Sequence, residues 1–198
     1  MGLRSLRIPI MLLFLLCLSN SPLPALFAQN TPDEGEMFPE LKLAVPQKME
    51  QREYLNIDQN PFLLSKVDSE VLIVEIFSLY CPYCQKEAPN VNALFDAISA
   101  SPELKSRVKV LGIGAGNSPF EVNAFRDLFT IEFPLIPDGD FAVHKMLGQV
   151  RTPYFFVLWK KPAGWLVVYS RVGSIGDPRA FLELIFSKID ANTNTIKN

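Results

Sequence analysis

Residues 71–89, VLIVEIFSLYCPYCQKEAP, combine an apolar run with a Cys-x-x-Cys motif. The run Val71–Phe77 is rich in β-branched residues and is interrupted only by Glu75, which is typical of a strand buried on both faces of a parallel or mixed sheet. Pro82 favours the start of a helix, because the first helical position does not need a backbone N–H. The stretch therefore predicts a strand, a short turn and a helix that carries both cysteines at its start.

The predicted helix has one apolar face. Its apolar residues recur at spacings of three or four: Cys84, Ala88, Val91, Phe95 and Ile98. Cys84 therefore begins the buried face, whereas Cys81 lies at the helix tip. Free backbone N–H groups and the helix dipole favour a thiolate at that tip and lower the pKa of its cysteine. The two sulfurs lie one helical turn apart, which is close enough for a disulfide bond. The pattern therefore predicts Cys81 as the exposed nucleophile and Cys84 as the buried thiol that resolves the mixed disulfide.

Glu75 is a candidate proton carrier. Side chains alternate along a strand, so Glu75 shares a face with Ile73 and Phe77. A lone buried carboxylate is costly, and it either becomes neutral or faces a wet cleft. We expect Glu75 to relay the Cys84 proton, directly or through water, although an ordinary solvated strand residue is the simpler alternative.

These residues resemble the thioredoxin superfamily, whose pattern is a strand with a buried acid, an aromatic residue before Cys-x-x-Cys, and a proline five residues after the second cysteine. The matching positions are Glu75, Tyr80, Cys81, Cys84 and Pro89. Glu replaces the usual Asp, and Tyr replaces the usual Trp. Independently of the resemblance, a proline inside a helix removes one backbone hydrogen bond, so a bend at Pro89 is expected.

A second segment carries the same resemblance. Residues 148–158, GQVRTPYFFVL, look like the thioredoxin-family segment in which a cis proline lies against the Cys-x-x-Cys motif. The resemblance implies a cis Thr152–Pro153 bond, and it implies that the backbone of Thr152 pairs with the substrate. An X–Pro bond considered alone would be expected to be trans. Tyr83 is a further candidate for shaping the substrate face.

The rest of the chain alternates strand and helix patterns, which favours an α/β fold. After the motif, the predicted elements are a strand at 107–114, a helix at 118–130, a strand at 133–136, a helix at 140–147, a hairpin at 151–169 and a final helix from Asp177. Residues 41–45 and 52–57 are short strand candidates. We therefore expect a thioredoxin fold, with a mixed central sheet flanked by helices and a short β-rich N-terminal extension.

The termini are predicted to lie outside this domain. Residues 1–28 have basic residues, an apolar run of eleven and a small residue at the end, as in a secretory signal peptide. An uncleaved signal would instead tether the protein to a membrane. Residues 29–38 are expected to be a flexible lead-in, residues 39–190 the thioredoxin-like domain, and residues 191–198 a polar tail.

Export would place the domain in an oxidising compartment, where Cys81 and Cys84 would form a redox pair. The resemblance is strongest to the secreted TlpA/ResA-like branch. It implies client proteins with disulfides or dithiols, and a thiol-disulfide electron donor in the membrane. A net charge of −2 gives no basic surface for nucleic acid. The Pro-Tyr pair between the cysteines is familiar in glutaredoxins and leaves the redox direction open.

Other functions remain as alternatives. A structural zinc site needs four ligands, but the mature chain offers Cys81, Cys84 and His144, so no metal or cofactor is predicted. A purely structural disulfide is the simplest alternative. A peroxiredoxin-like thiol peroxidase would need Thr three residues before the cysteine, where Ser78 stands. A non-enzymatic chaperone for metal or haem is a third possibility, although Gln85 occupies the place of the histidine that haem attachment requires.

Overall fold

The computed structural model describes Gly2 and residues 30–196. The predicted signal peptide, residues 1–28, lies outside the described residues except for Gly2. In the part of the chain that the structure describes, no helix combines the length and apolarity needed to cross a bilayer.

The N-terminal extension contains a small antiparallel sheet, as expected. Strand β1 (Lys42–Leu43) pairs with β2 (Phe62–Leu63), and a 3-10 helix follows at Leu64–Lys66. The strand predicted at 52–57 is wrong, because helix α1 (Met49–Leu55) occupies most of that segment. Gln51 and Leu55 are its buried positions, and their spacing of four residues suits one helix face.

The main sheet has five strands among the described residues. They are β3 (Val71–Phe77), β4 (Val108–Ala115), β5 (Leu135–Asp138), β6 (Tyr154–Lys161) and β7 (Gly164–Val172). Their order is β5-β4-β3-β6-β7. Strand β3 is parallel to β4 and antiparallel to β6, so the predicted mixed sheet is confirmed.

Five helices accompany this sheet in the described residues. They are α2 (Pro82–Ala100), α3 (Pro102–Arg107), α4 (Pro119–Phe129), α5 (Ala142–Met146) and α6 (Pro178–Ile196). Helix α4 begins with a capping box, because the Glu121 backbone N–H donates to Ser118 Oγ and the Ser118 N–H donates to Glu121 Oε2. Helix α6 continues through the first six residues of the predicted polar tail.

The lead-in is more ordered than predicted. Phe38 N–H donates to the Trp165 carbonyl at 2.7 Å, and Gly35 N–H donates to the Val167 carbonyl at 2.9 Å. Met37 forms an isolated bridge with Leu166. These bonds provide partners for free backbone groups of β7, which is an edge strand. The composition of the lead-in did not indicate that these hydrogen bonds would form.

Strand β3 is buried on both faces because a separate hydrophobic cluster lies on each side of the sheet. One cluster joins Val71, Ile73 and Phe77 to the inner face of α2. The other joins Leu72 and Ile76 to the N-terminal extension. This burial explains the nearly uninterrupted apolar sequence of β3, and it fixes the turn that follows the strand.

Candidate active site

Cys81 occupies the N-cap position of α2, and Pro82 follows at the first helical position. The backbone N–H of Cys81 donates to the Ser78 carbonyl at 3.1 Å, so the turn after β3 is closed by a hydrogen bond. The thiol of Cys81 lies 3.2 Å from the Thr152 carbonyl oxygen, to which it donates. Cys81 is partly exposed. The helix tip therefore presents its sulfur beside the segment before β6.

The environment of Cys81 favours the thiolate. Partial burial by itself would raise the pKa of Cys81, but interactions with the Thr152 side chain and with the backbone N–H groups of Cys84 and Tyr83 outweigh it, so the pKa is lowered. Two of these donors belong to the first turn of α2, as the helix-tip argument predicts.

Cys84 has the opposite environment. It is fully buried on the inner face of α2. Burial raises the pKa of Cys84 far above that of a free cysteine. Both cysteines are free thiols in this structure. The helix therefore carries one accessible sulfur that ionises readily and, one turn later, one buried sulfur that holds its proton.

Glu75 lies under this pair, in the middle of β3 between Gly112 and Phe155 on the neighbouring strands. It is 2% exposed, and its Oε1 has no hydrogen-bond partner among the described residues. Burial, followed by the charges of Glu87 and Cys81, raises the pKa of Glu75 to about 8. Glu75 is thus a buried acid that can hold or release a proton near neutral pH.

The other predicted site residues line a groove beside Cys81. The Thr152–Pro153 bond is cis. Tyr83, which is 74% exposed, lines this groove together with Thr152 and Pro153. The structure therefore brings the six predicted site residues to one place: Glu75, Cys81, Tyr83, Cys84, Thr152 and Pro153.

Two polar residues of this region were missed in the sequence. Asn117, fully buried after β4, accepts the Leu79 N–H at 2.8 Å and donates to Ser78 Oγ at 3.4 Å. It therefore positions the turn that precedes Cys81. Glu87 lies on the inner face of α2, where the apolar stripe did not predict an acid. The available signal for Asn117 was its place at the carboxyl end of a strand parallel to β3.

Gly112 and Gly114 lie within β4. A Cβ at Gly112 would approach Leu135 Cδ2 to 2.4 Å, so the Leu135 side chain would have to shift to admit a larger residue there. His144 binds the Val150 carbonyl at 2.8 Å through Nε2, a contact that joins α5 to the segment before β6. These contacts give Gly112 and His144 roles in the packing of the fold.

Comparison with known proteins places the chain in a family. The model of the AhpC/TSA family matches residues 35–170. The chain belongs to the AhpC/TSA family. The match covers the main sheet from β3 to β6, most of β7 and the residues of the candidate site. None of the curated protein sequences compared with the chain matches it.

Solved structures below 25% identity share the fold of this AhpC/TSA-family chain. A protein described as the thiol:disulfide interchange protein DsbE from Chlorobium tepidum is 16% identical with a TM-score of 0.61, covering 80% of this chain and 99% of its own. A protein described as a protein disulfide isomerase from Bacteroides thetaiotaomicron is 16% identical with a TM-score of 0.57. The match covers 79% of this chain and 87% of that protein's chain. StoA from Bacillus subtilis is 18% identical with a TM-score of 0.53. The match covers 74% of this chain and 96% of the StoA chain.

These matches confirm the thioredoxin superfamily and the predicted fold class, and they are consistent with the TlpA/ResA-like branch. The family match supports a redox enzyme in general. The roles of the individual residues, the redox direction and the compartment belong to the proposal that follows.

Proposed function

We propose that this protein is an exported thiol-disulfide oxidoreductase that reduces disulfides in client proteins. The observation that carries the proposal is the contrast between the two cysteines of α2. Cys81 is accessible and has a lowered pKa, whereas Cys84 is buried and has a raised pKa. This contrast assigns the first attack to Cys81 and the second to Cys84.

The reaction balances in two exchanges. The Cys81 thiolate attacks one sulfur of the client disulfide, forming a Cys81–client disulfide and releasing the other client sulfur as a thiolate, which takes up a proton. Cys84 then attacks the sulfur of Cys81, forms the Cys81–Cys84 disulfide and releases the second client thiolate. The client gains two electrons and two protons, and the protein loses them.

The second exchange needs a base because Cys84 must lose its proton while buried. Glu75 suits this role in its ionised form: with a pKa of about 8, a minority of the molecules carry the Glu75 carboxylate near neutral pH, and that carboxylate can take the Cys84 proton. The transfer runs directly or through one water. The proton then reaches the departing client thiolate or solvent. Tyr83, Thr152 and Pro153 form the surface on which the client chain rests.

Turnover requires a reductant for the Cys81–Cys84 disulfide. An oxidising compartment supplies few free thiols, so the electrons come from a dithiol on a membrane partner. The sequence pattern of residues 1–28 supports export, and retention of that segment would keep the protein at the membrane near its donor.

Insulin reduction tests the proposal directly. Purified full chain with dithiothreitol should accelerate precipitation of the insulin B chain. Cys81→Ser should abolish the acceleration, whereas Cys84→Ser should accumulate a mixed disulfide visible by non-reducing electrophoresis and mass spectrometry. Full activity in Cys81→Ser would refute the assignment of the nucleophile.

Peroxide turnover is the second candidate, favoured by membership of the AhpC/TSA family, although Ser78 stands where a peroxidase would need threonine. The Cys81 sulfur contacts the Thr152 carbonyl, which gives no positive charge to a bound peroxide. We expect hydrogen peroxide to be consumed much more slowly than a protein disulfide in the same preparation. The reverse order would favour the peroxidase.

A further inference from the structure

The groove beside Cys81 is large enough for a peptide segment. It has a volume of about 590 Å³ and opens between the first turns of α2 and the ends of β6 and β7. Its lining residues come from both sides: Tyr83, Lys86, Glu87, Asn90, Arg151, Thr152, Pro153, Val172, Gly173 and Ser174. The groove therefore lies beside the helix tip that carries the reactive sulfur, with Thr152 common to both.

Residues 173–175 form one wall of the groove, and hydrogen bonds hold this wall in place. Gly173 N–H donates to the Pro153 carbonyl at 2.9 Å. Ile175 N–H donates to Glu87 Oε1 at 2.8 Å, and Asn90 Nδ2 donates to Glu87 Oε2 at 3.1 Å. Both carboxylate oxygens of Glu87 are thus engaged, and its side chain is only 4% exposed. The acid of this groove stabilises the wall and does not face the opening.

The accessible charges of the groove are positive. Lys86 on α2 and Arg151 before the cis peptide are both exposed. Neither forms an ion pair with a carboxylate in the described residues. The chain as a whole carries a net charge of −2, so the positive rim differs in sign from the protein around it. A cleft lined by one sign of charge concentrates partners of the opposite sign.

We propose that this groove selects client polypeptides with acidic side chains next to the reactive disulfide, through Lys86 and Arg151. The inference rests on the proposed function and specifies its substrate class. The arginine guanidinium can bind a carboxylate with two parallel hydrogen bonds, and the lysine adds a second charge across the groove. Exposed Tyr83 adds an aromatic surface to the same groove.

Two matched peptides test the proposal with the full-length chain. Each contains the same intramolecular disulfide, and the cysteines are flanked by Asp in one peptide and by Lys in the other. We expect the Asp peptide to have a kcat/KM about tenfold higher at low salt, since each exposed charge pair contributes several-fold. The difference should largely disappear at about 0.5 M salt, where screening is strong.

Charge reversal supplies the decisive comparison. The double variant Lys86→Glu with Arg151→Glu should reverse the order of the two peptides, and the double Gln variant should remove the preference. Lys105→Glu, on α3 at the far end of α2, makes the same charge change as each single reversal; it is the control and should keep the preference. Equal rates for both peptides in the wild type, or a preference that survives the reversal, would overturn the proposal.

Binding without chemistry separates this inference from the proposed function. Fluorescence anisotropy with peptides in which Ser replaces both cysteines reports recognition alone. Tighter binding of the Asp peptide without disulfide reduction would refute the proposed function and keep the inference. Reduction of both peptides without a binding preference would support the proposed function and refute the inference. If oxidised glutathione is reduced in preference to the Asp peptide, the site selects a small molecule and the polypeptide assignment is wrong.

Discussion

Replacing Glu75 by Gln tests whether this buried acid is protonated at neutral pH. Its pKa is raised from 4.5 to about 8 by burial and by the nearby charges. Between these two values the folded protein keeps a proton that the unfolded chain has lost. The contribution of Glu75 to the free energy of unfolding should therefore fall as pH rises, by about 1.4 kcal/mol per pH unit. The slope should end above the folded pKa, where both states are ionised.

The amide introduced by Glu75→Gln binds no proton, so the variant lacks this slope. The stability of the variant relative to the wild type should rise by about 3 kcal/mol between about pH 5 and about pH 7.5. Urea unfolding of the reduced proteins at several pH values measures it. Glu183→Gln, the same change on an exposed face of α6, is the control. Parallel profiles for Glu75→Gln and the wild type would show that Glu75 is ionised in the fold, and the reasoning would fail.

The same variant separates the two exchanges in kinetics. Because Glu75 is assigned to the Cys84 proton, Glu75→Gln should leave formation of the mixed disulfide nearly unchanged. Release of the reduced client should slow by about a hundredfold, the usual contribution of a general base. Rapid quenching with acid during a single turnover, followed by mass spectrometry, measures both steps.

Two further predictions concern the helix tip and its support. Iodoacetamide at neutral pH should modify Cys81 quickly and Cys84 hardly at all, because the pKa of Cys81 is lowered and Cys84 is fully buried; peptide mass mapping checks this, and comparable rates would contradict it. Asn117→Ala should lower the free energy of unfolding by about 1–3 kcal/mol by removing the acceptor of the Leu79 N–H. It should also slow insulin reduction, and unchanged urea unfolding together with unchanged activity would show that Asn117 does not position the turn.

The sequence itself determined the central unit of the fold and the identity of the two thiols. Three features are local signals, because they depend on side-chain periodicity and backbone preference: the apolar run of β3, interrupted only by Glu75, Pro82 at the helix start and the stripe on α2. The same is true of the capping box at Ser118. These signals also distinguished Cys81 from Cys84, since a position at the helix tip or on the buried face follows from spacing alone.

Tertiary structure decided everything that depends on residues far apart in the sequence. The segment 52–57 could form either a strand or a helix, and burial of Gln51 and Leu55 selected the helix. The polar lead-in is ordered because β7 exposes free backbone groups beside it. Glu87 is buried because its carboxylate accepts from Asn90 on the same helix and from the Ile175 N–H, and no pattern within α2 shows the Ile175 contact. Such contacts are set by chain packing across long sequence separations, which local periodicity does not encode.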